Sequence, residues 1–169
     1  MADPADPSLI PAAAGPVVRF QGLATRQVVA GARTGGAFAL IEHELAPRAL
    51  GSPRHTHARE DEISHVVAGR LGVEIGGEVL AAGPGDTVVK PRGVPHAFWN
   101  RGEQPVRFLE LIAPAGFEGY FAEVEPILAR AGPPDAEALG AIMARYGLEM
   151  DVGSVPALIA AHGLSGPLE

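Results

Sequence analysis

Short apolar runs, cut at close intervals by glycine and proline, recur from Val17 to Ile112 and leave room for little but β-strands joined by tight turns. Val17 to Phe20, Gln27 to Ala30 and Ala37 to Leu45 read as three strands, parted by Gly22, Gly31, Gly35 and Gly36. Glu62 to Glu74 alternates, Gly76-Gly77 is a two-residue hairpin turn, and Glu78 to Ala81 returns. Thr87 to Lys90 and His96 to Asn100 flank Pro91-Arg92-Gly93-Val94-Pro95, a run suited only to a turn, and Val106 to Ile112 closes the pattern. Strands of this kind predict a mostly β protein, a barrel or jelly roll.

After Pro114 the period changes. Tyr120, Phe121, Val124, Ile127 and Leu128 have helical spacing, Gly132-Pro133-Pro134 ends that helix, and Asp135 starts a second one closed by Gly147. A third short helix begins at Ser154 and Pro156 and ends near Gly163. These helices are amphipathic and show no chemistry of their own, so they are expected to pack on the barrel or on a second subunit. The organisation read from the sequence is therefore a tail or arm over residues 1–16, a barrel over 17–114 and a helical extension over 115–169.

A length of 169 residues suits one domain with one sizeable core. The chain has no cysteine, which excludes disulfides, thiolate metal sites and a thiol nucleophile. Its net charge is −7 and Lys90 is its single lysine, so nucleic acid is not an expected partner. Neither a signal peptide nor a membrane span is apparent near the N-terminus, where Pro11 and Pro16 break the apolar patch, and a cytoplasmic location is expected.

Between Gly51 and Asn100 the sequence gathers metal-ligand chemistry. His55 and His57 lie two apart, so on an extended strand both imidazoles project to one side. Four residues later comes Glu62, after enough chain for a reversal, and His96 follows the proline-rich turn. Three imidazoles and one carboxylate make a donor set for a divalent transition metal.

The order Gly51, His55, His57, Glu62, Gly69 resembles the first cupin motif, and Gly85, Pro91, Gly93, His96, Asn100 resembles the second. The resemblance implies a cupin double-stranded β-helix with helices appended at its C-terminus. It also implies His55, His57, Glu62 and His96 as ligands of one divalent ion (Fe, Ni, Mn, Co or Zn), and a homodimer of barrels sharing N-terminal strands. It selects Glu62 over its neighbour Asp61, which faces the other side of the strand. Four protein ligands leave open positions, as in a catalytic site.

Strand alternation suggests further site residues. Phe38, Leu40 and Glu42 share a face, and Glu42 is either a solvent-facing, arginine-paired acid or an acid/base group in the barrel. Ser64 and Val66 share the face of Glu62, while His65 points away. Phe98 shares the face of His96, and Trp99 is expected outside the barrel or at a subunit contact. Phe38, Leu40, Ser64, Val66 and Phe98 are thus candidate pocket walls. Glu110 sits in a strand whose neighbours Leu109 and Leu111 argue for burial, and either an ion pair with Lys90 or Arg92 or a catalytic role accounts for it.

Three functions follow. The resemblance to bacterial quercetin-dioxygenase-like cupins implies a dioxygenase that binds an enolic or aromatic small molecule, with Glu62 as general base. The alternative is a metal-dependent isomerase, cyclase or decarboxylase in which Glu62, Glu42 or Glu110 moves protons. A small-molecule-binding barrel without catalysis is the third.

Overall fold

Glycines and prolines end each apolar run within a few residues, and the chain meets this constraint by pairing the runs edge to edge in two antiparallel sheets. The structure, a computed structural model, describes residues 9–130 and 132–165; residues 1–8 of the expected N-terminal tail lie outside the described residues. The strands are β1 (Val17–Phe20), β2 (Leu23–Val29), β3 (Ala39–Leu45), β4 (Leu50–His57), β5 (Asp61–Ala68), β6 (Leu71–Ile75), β7 (Glu78–Ala82), β8 (Thr87–Lys90), β9 (His96–Trp99) and β10 (Val106–Ala113). They are followed by α1 (Gly119–Leu128), α2 (Ala136–Tyr146), β11 (Leu148–Asp151) and α3 (Val155–His162). One sheet has the order β1-β2-β3-β10-β5-β8 and the other β11-β4-β9-β6-β7. This is the expected mostly β jelly roll with C-terminal helices.

Two strands depart from the sequence reading. The first is β4, for which the sequence offered only the extended pair His55 and His57, and which reaches back to Leu50 through Gly51-Ser52-Pro53. Its pairing with β9 shifts register between Ser52 and His55, and Pro53, which has no N–H to offer a ladder, falls in that gap. The second is β11, which sequence reasoning missed because Leu148–Asp151 is too short and too polar to stand out. Its strand identity comes from β4, against which it pairs Leu148 with His57 and Met150 with His55.

The core has three parts. Inside the barrel, Leu23, Leu45, Val66, Leu71, Val73, Phe98, Val106 and Phe108 come from both sheets. Between the barrel and α1 and α2, Ile41 and Ile112 meet Phe117, Tyr120, Val124, Ile142 and Leu148. Under α3, Ala97 and Trp99 meet Leu158 and Leu164. Trp99 does lie outside the barrel interior, but the chain's own third helix covers it, and its ring stacks on His162 at 3.8 Å.

The helix ends follow local chemistry. Asp135 caps α2 by accepting from the Ala138 N–H at 3.0 Å, and Gly147 closes the helix at φ 63°. Among the described residues no helix is long and apolar enough to cross a membrane.

Candidate metal centre and its cavity

The sharp reversal between β4 and β5 returns the chain antiparallel, so His55 and His57 from one sheet face Glu62 from the other. His96 arrives on β9 directly opposite His55 in the strand register. All four side chains are buried, and one ligand atom from each lies within 4.8 Å of the rest. The imidazole centroids of His55 and His96 are 4.2 Å apart, and His57 lies 5.1 Å from His55 and 5.5 Å from His96. Glu62 reaches His57 Nε2 at 3.4 Å with one oxygen and His96 Nε2 at 3.3 Å with the other.

The ring orientations are fixed by the backbone. His55 Nδ1 is 2.9 Å from the Pro53 carbonyl and His96 Nδ1 is 3.1 Å from the Val94 carbonyl. A carbonyl only accepts, so each Nδ1 donates to it and each Nε2 is the nitrogen turned toward the centre. His57 is held differently. Both its ring nitrogens are sealed from solvent with no hydrogen bond, and the nearest carboxylate behind it, Glu60, stands 3.7 Å from Nδ1. An orphaned, buried His57 Nε2 aimed at three other donors is what a site shaped for a cation leaves when only the protein is considered.

Electrostatics keep the donors in ligating form. Burial, reinforced by His96 and His57, holds the His55 imidazolium pKa well below the ordinary value against the pull of Glu62 and the Pro53 carbonyl. Burial likewise lowers His57 to about 4, with His96 and Lys90 adding and Glu62 opposing. These imidazoles are neutral near pH 7. For Glu62 burial alone would raise the carboxyl, but Lys90, His57 and His96 outweigh it and keep it well below the carboxylate range.

Behind Glu62 lies an internal ion bridge. Lys90, the chain's single lysine and only 1% exposed, holds Glu62 at 2.9 Å and Glu110 at 2.8 Å. Ser64 donates to Glu110, with its Oγ 3.1 and 2.9 Å from the two carboxylate oxygens. Of the two partners considered for Glu110, Lys90 is the one that meets it, whereas Arg92 pairs on the surface with Asp61 at 2.7 Å. Burial, with Glu62 adding, pushes Glu110 up to about 7 despite Lys90 and Ser64. One ammonium between two carboxylates thus leaves a proton shared at Glu110 near neutrality.

These groups open into a cavity of about 460 Å³ lined by His55, Glu62, Glu110, Phe98 and His43 from the barrel. Its remaining walls include Phe117, Phe121, Met143, Met150 and Ile159, supplied by the C-terminal segment. Phe117 stands against His57 with centroids 4.3 Å apart. Gly51 allows the close packing, since a Cβ there would lie 2.0 Å from the Phe98 ring.

Part of the expected pocket is corrected. Buried residues on β3 are Ala39, Ile41, His43 and Leu45, so Leu40 and Glu42 point outward, and Phe38 precedes the strand and is 36% exposed. Glu42 pairs with Arg26 at 2.7 Å on the outer face. The apolar pair Phe38 and Leu40 suggested an inward face, but Ile41 and Leu45 bury more against β10 and the helices. Ser64 and Val66 do point inward, yet they are covered rather than cavity-lining. Sequence reasoning missed His43, Glu60 and the C-terminal walls. The signal for His43 was its position between Ile41 and Leu45; for Glu60 and the walls no local signal existed.

A jelly-roll barrel in which three imidazoles and one carboxylate meet beside an apolar cavity defines a class of small β-barrels whose buried donors could hold a metal ion. Residues 41–112 match the family model described as the Cupin domain, and the chain belongs to the cupin superfamily. No curated protein matches the sequence.

Among solved structures, the polyketide cyclase RemF from Streptomyces resistomycificus is 31% identical over 57% of this chain and 68% of its own, at a TM-score of 0.50. KdgF from Halomonas sp. is 26% identical over 58% of this chain and 85% of its own, at a TM-score of 0.52. A cupin sugar phosphate isomerase from Silicibacter pomeroyi is 29% identical over 56% of this chain, at a TM-score of 0.49. The match spans only 60% of that isomerase's length.

Proposed function

We propose that the protein is a metal-dependent enzyme that binds an enolic, aromatic-sized small molecule and rearranges it by proton transfer, as an isomerase, cyclase or decarboxylase does. The observation that carries this is the second carboxylate. Glu110 lines the same cavity as His55 and Glu62, yet it stands outside the donor set and is joined to it only through Lys90.

His55, His57, Glu62 and His96 would hold the ion, and a divalent metal bound there supplies Lewis-acid polarisation of a ligand oxygen. Imidazole and carboxylate donors suit Fe, Ni, Mn, Co and Zn alike. The remaining work belongs to the chain. Lys90 keeps Glu62 anionic and fixes the oxygen that faces His96. Glu110, poised near neutrality, gives or takes the proton at the ligand carbon or oxygen, where a matched pKa makes transfer efficient in both directions. The aromatic walls exclude water and favour a flat ligand. Similarity to a polyketide cyclase supports the class of chemistry.

The dioxygenase reading draws on the same donor set and aromatic cavity, and oxygen dependence separates the two. Zinc-loaded protein is expected to exchange the C2 hydrogen of 1-phenylbutane-1,3-dione for deuterium faster than buffer under strict anaerobiosis, followed by NMR. Glu110→Gln is expected to keep the metal and slow exchange by about 10²–10⁴-fold. Oxygen uptake matching diketone consumption by the iron or nickel form, with no anaerobic exchange, would establish the dioxygenase instead.

A further inference from the structure

Besides the three histidines of the metal centre there is a fourth, His43, that lines the cavity and that the centre does not use. His43 lies on β3, paired with Thr25 of β2 on one side and Phe108 of β10 on the other. Phe108 in turn pairs with Val66, farther along β5 than Glu62, so His43 sits at a different level of the barrel from the metal ligands. Three phenyl rings surround it: Phe108, Phe121 and Phe98, at centroid distances of 4.9, 5.4 and 6.2 Å.

Its two nitrogens have different fates. Nδ1 is 2.9 Å from the buried Thr25 hydroxyl, which fixes the ring. Nε2 has no hydrogen-bond partner among the described residues, yet it is not one of the sealed, orphaned atoms, and His43 lines the cavity. A ring held at one end and open at the other, with three phenyl rings around it, is a polar contact offered to whatever fills the space. Burial, with Lys90 adding and Glu62 opposing, lowers its imidazolium pKa to about 3, so the contact is neutral.

We propose that His43 is the specificity residue of this pocket, its Nε2 hydrogen-bonding a hydroxyl on the part of a flat aromatic ligand that lies away from the metal donors. The ligand class is therefore an enolic aromatic compound with a chelating edge at His55, His57, Glu62 and His96 and a phenolic hydroxyl at its other end. A hydroxyl suits either tautomer, because Thr25 can donate to Nδ1 or accept from it, and a phenol both donates and accepts. The inference rests on the enol-binding reading above and adds which end of the ligand is recognised and by what.

The test compares two probes differing by one group, 1-phenylbutane-1,3-dione and 1-(4-hydroxyphenyl)butane-1,3-dione, titrated calorimetrically into zinc-loaded protein. Wild type is expected to bind the hydroxylated probe about tenfold more tightly, a factor typical of one hydrogen bond in a dry pocket. His43→Phe is expected to bring the ratio to about one or invert it while zinc stoichiometry stays unchanged. His43→Gln, whose amide nitrogen reaches the position of Nε2, is expected to restore part of the preference. Thr25→Val, which frees the ring, is expected to weaken it. A merely structural histidine would lower stability without moving the ratio between probes. Binding of both probes with equal affinity by wild type, or an unchanged ratio in folded, zinc-loaded His43→Phe, overturns the role of His43 alone. Wild type that takes up zinc and binds neither probe overturns the enol-binding reading and this inference with it.

Discussion

Lys90 shows what a single buried charge controls. Between Glu62 and Glu110 it neutralises one carboxylate and tempers the other, and no second cation reaches either group among the described contacts. Lys90→Met leaves buried acid without its partner and is expected to cost about 3–5 kcal/mol in urea unfolding of the metal-free protein. The pH dependence separates two further residues. His43 has its pKa lowered from 6.5 to about 3, so its contribution to stability is complete above pH 6.5 and is lost as pH falls toward 3. Glu110 is raised from 4.5 to about 7, so its contribution is complete below pH 4.5 and is lost as pH rises through 7. Unfolding of metal-free His43→Phe is therefore expected to show a shallower acid limb, and Glu110→Gln a steeper rise from acid to neutral pH.

At the scale of elements, β4 carries two ligands and takes its rigidity from both neighbours, β9 and β11. The helices that follow the barrel do more than cover it, since they and β11 build one side of the cavity. Stability and site are nonetheless separable. Asp135→Ala removes the N-cap of α2 and is expected to lower stability by about 1 kcal/mol with metal stoichiometry unchanged. Gly51→Ala forces the Phe98 ring to move and is expected to weaken binding of the diketone probes while the protein still takes up zinc, measured by calorimetry and elemental analysis. Alternation on β3 was readable in the sequence, but which face turned inward was not. Phe38 and Leu40 and, opposite them, Ile41 and Leu45 gave both faces apolar weight, and only the pairing with β10 and the packing of α1 chose between them.

For the whole molecule, metal binding and folding are one equilibrium. The four donors come from β4, β5 and β9, so the unfolded chain offers no comparable site and a bound ion stabilises only the native state. Zinc at a hundred times its dissociation constant is expected to add about 2.7 kcal/mol to unfolding, read as a rise in Tm, and His96→Ala is expected to abolish that rise. Purified protein is likewise expected to carry a divalent metal that His96→Ala loses, checked by elemental analysis.

The sequence by itself determined the strand ladder, because turn glycines and prolines act locally. It also determined the identity of the candidate ligands, because residue type and spacing suffice to name imidazoles that can converge. Tertiary structure alone decided that Glu42 faces Arg26 outside, that Lys90 joins Glu62 to Glu110, that β11 exists, and that His43 and the C-terminal helices line the cavity. Each of these depends on contacts between segments far apart in the chain, whose energies arise only when the sheets and helices close on one another.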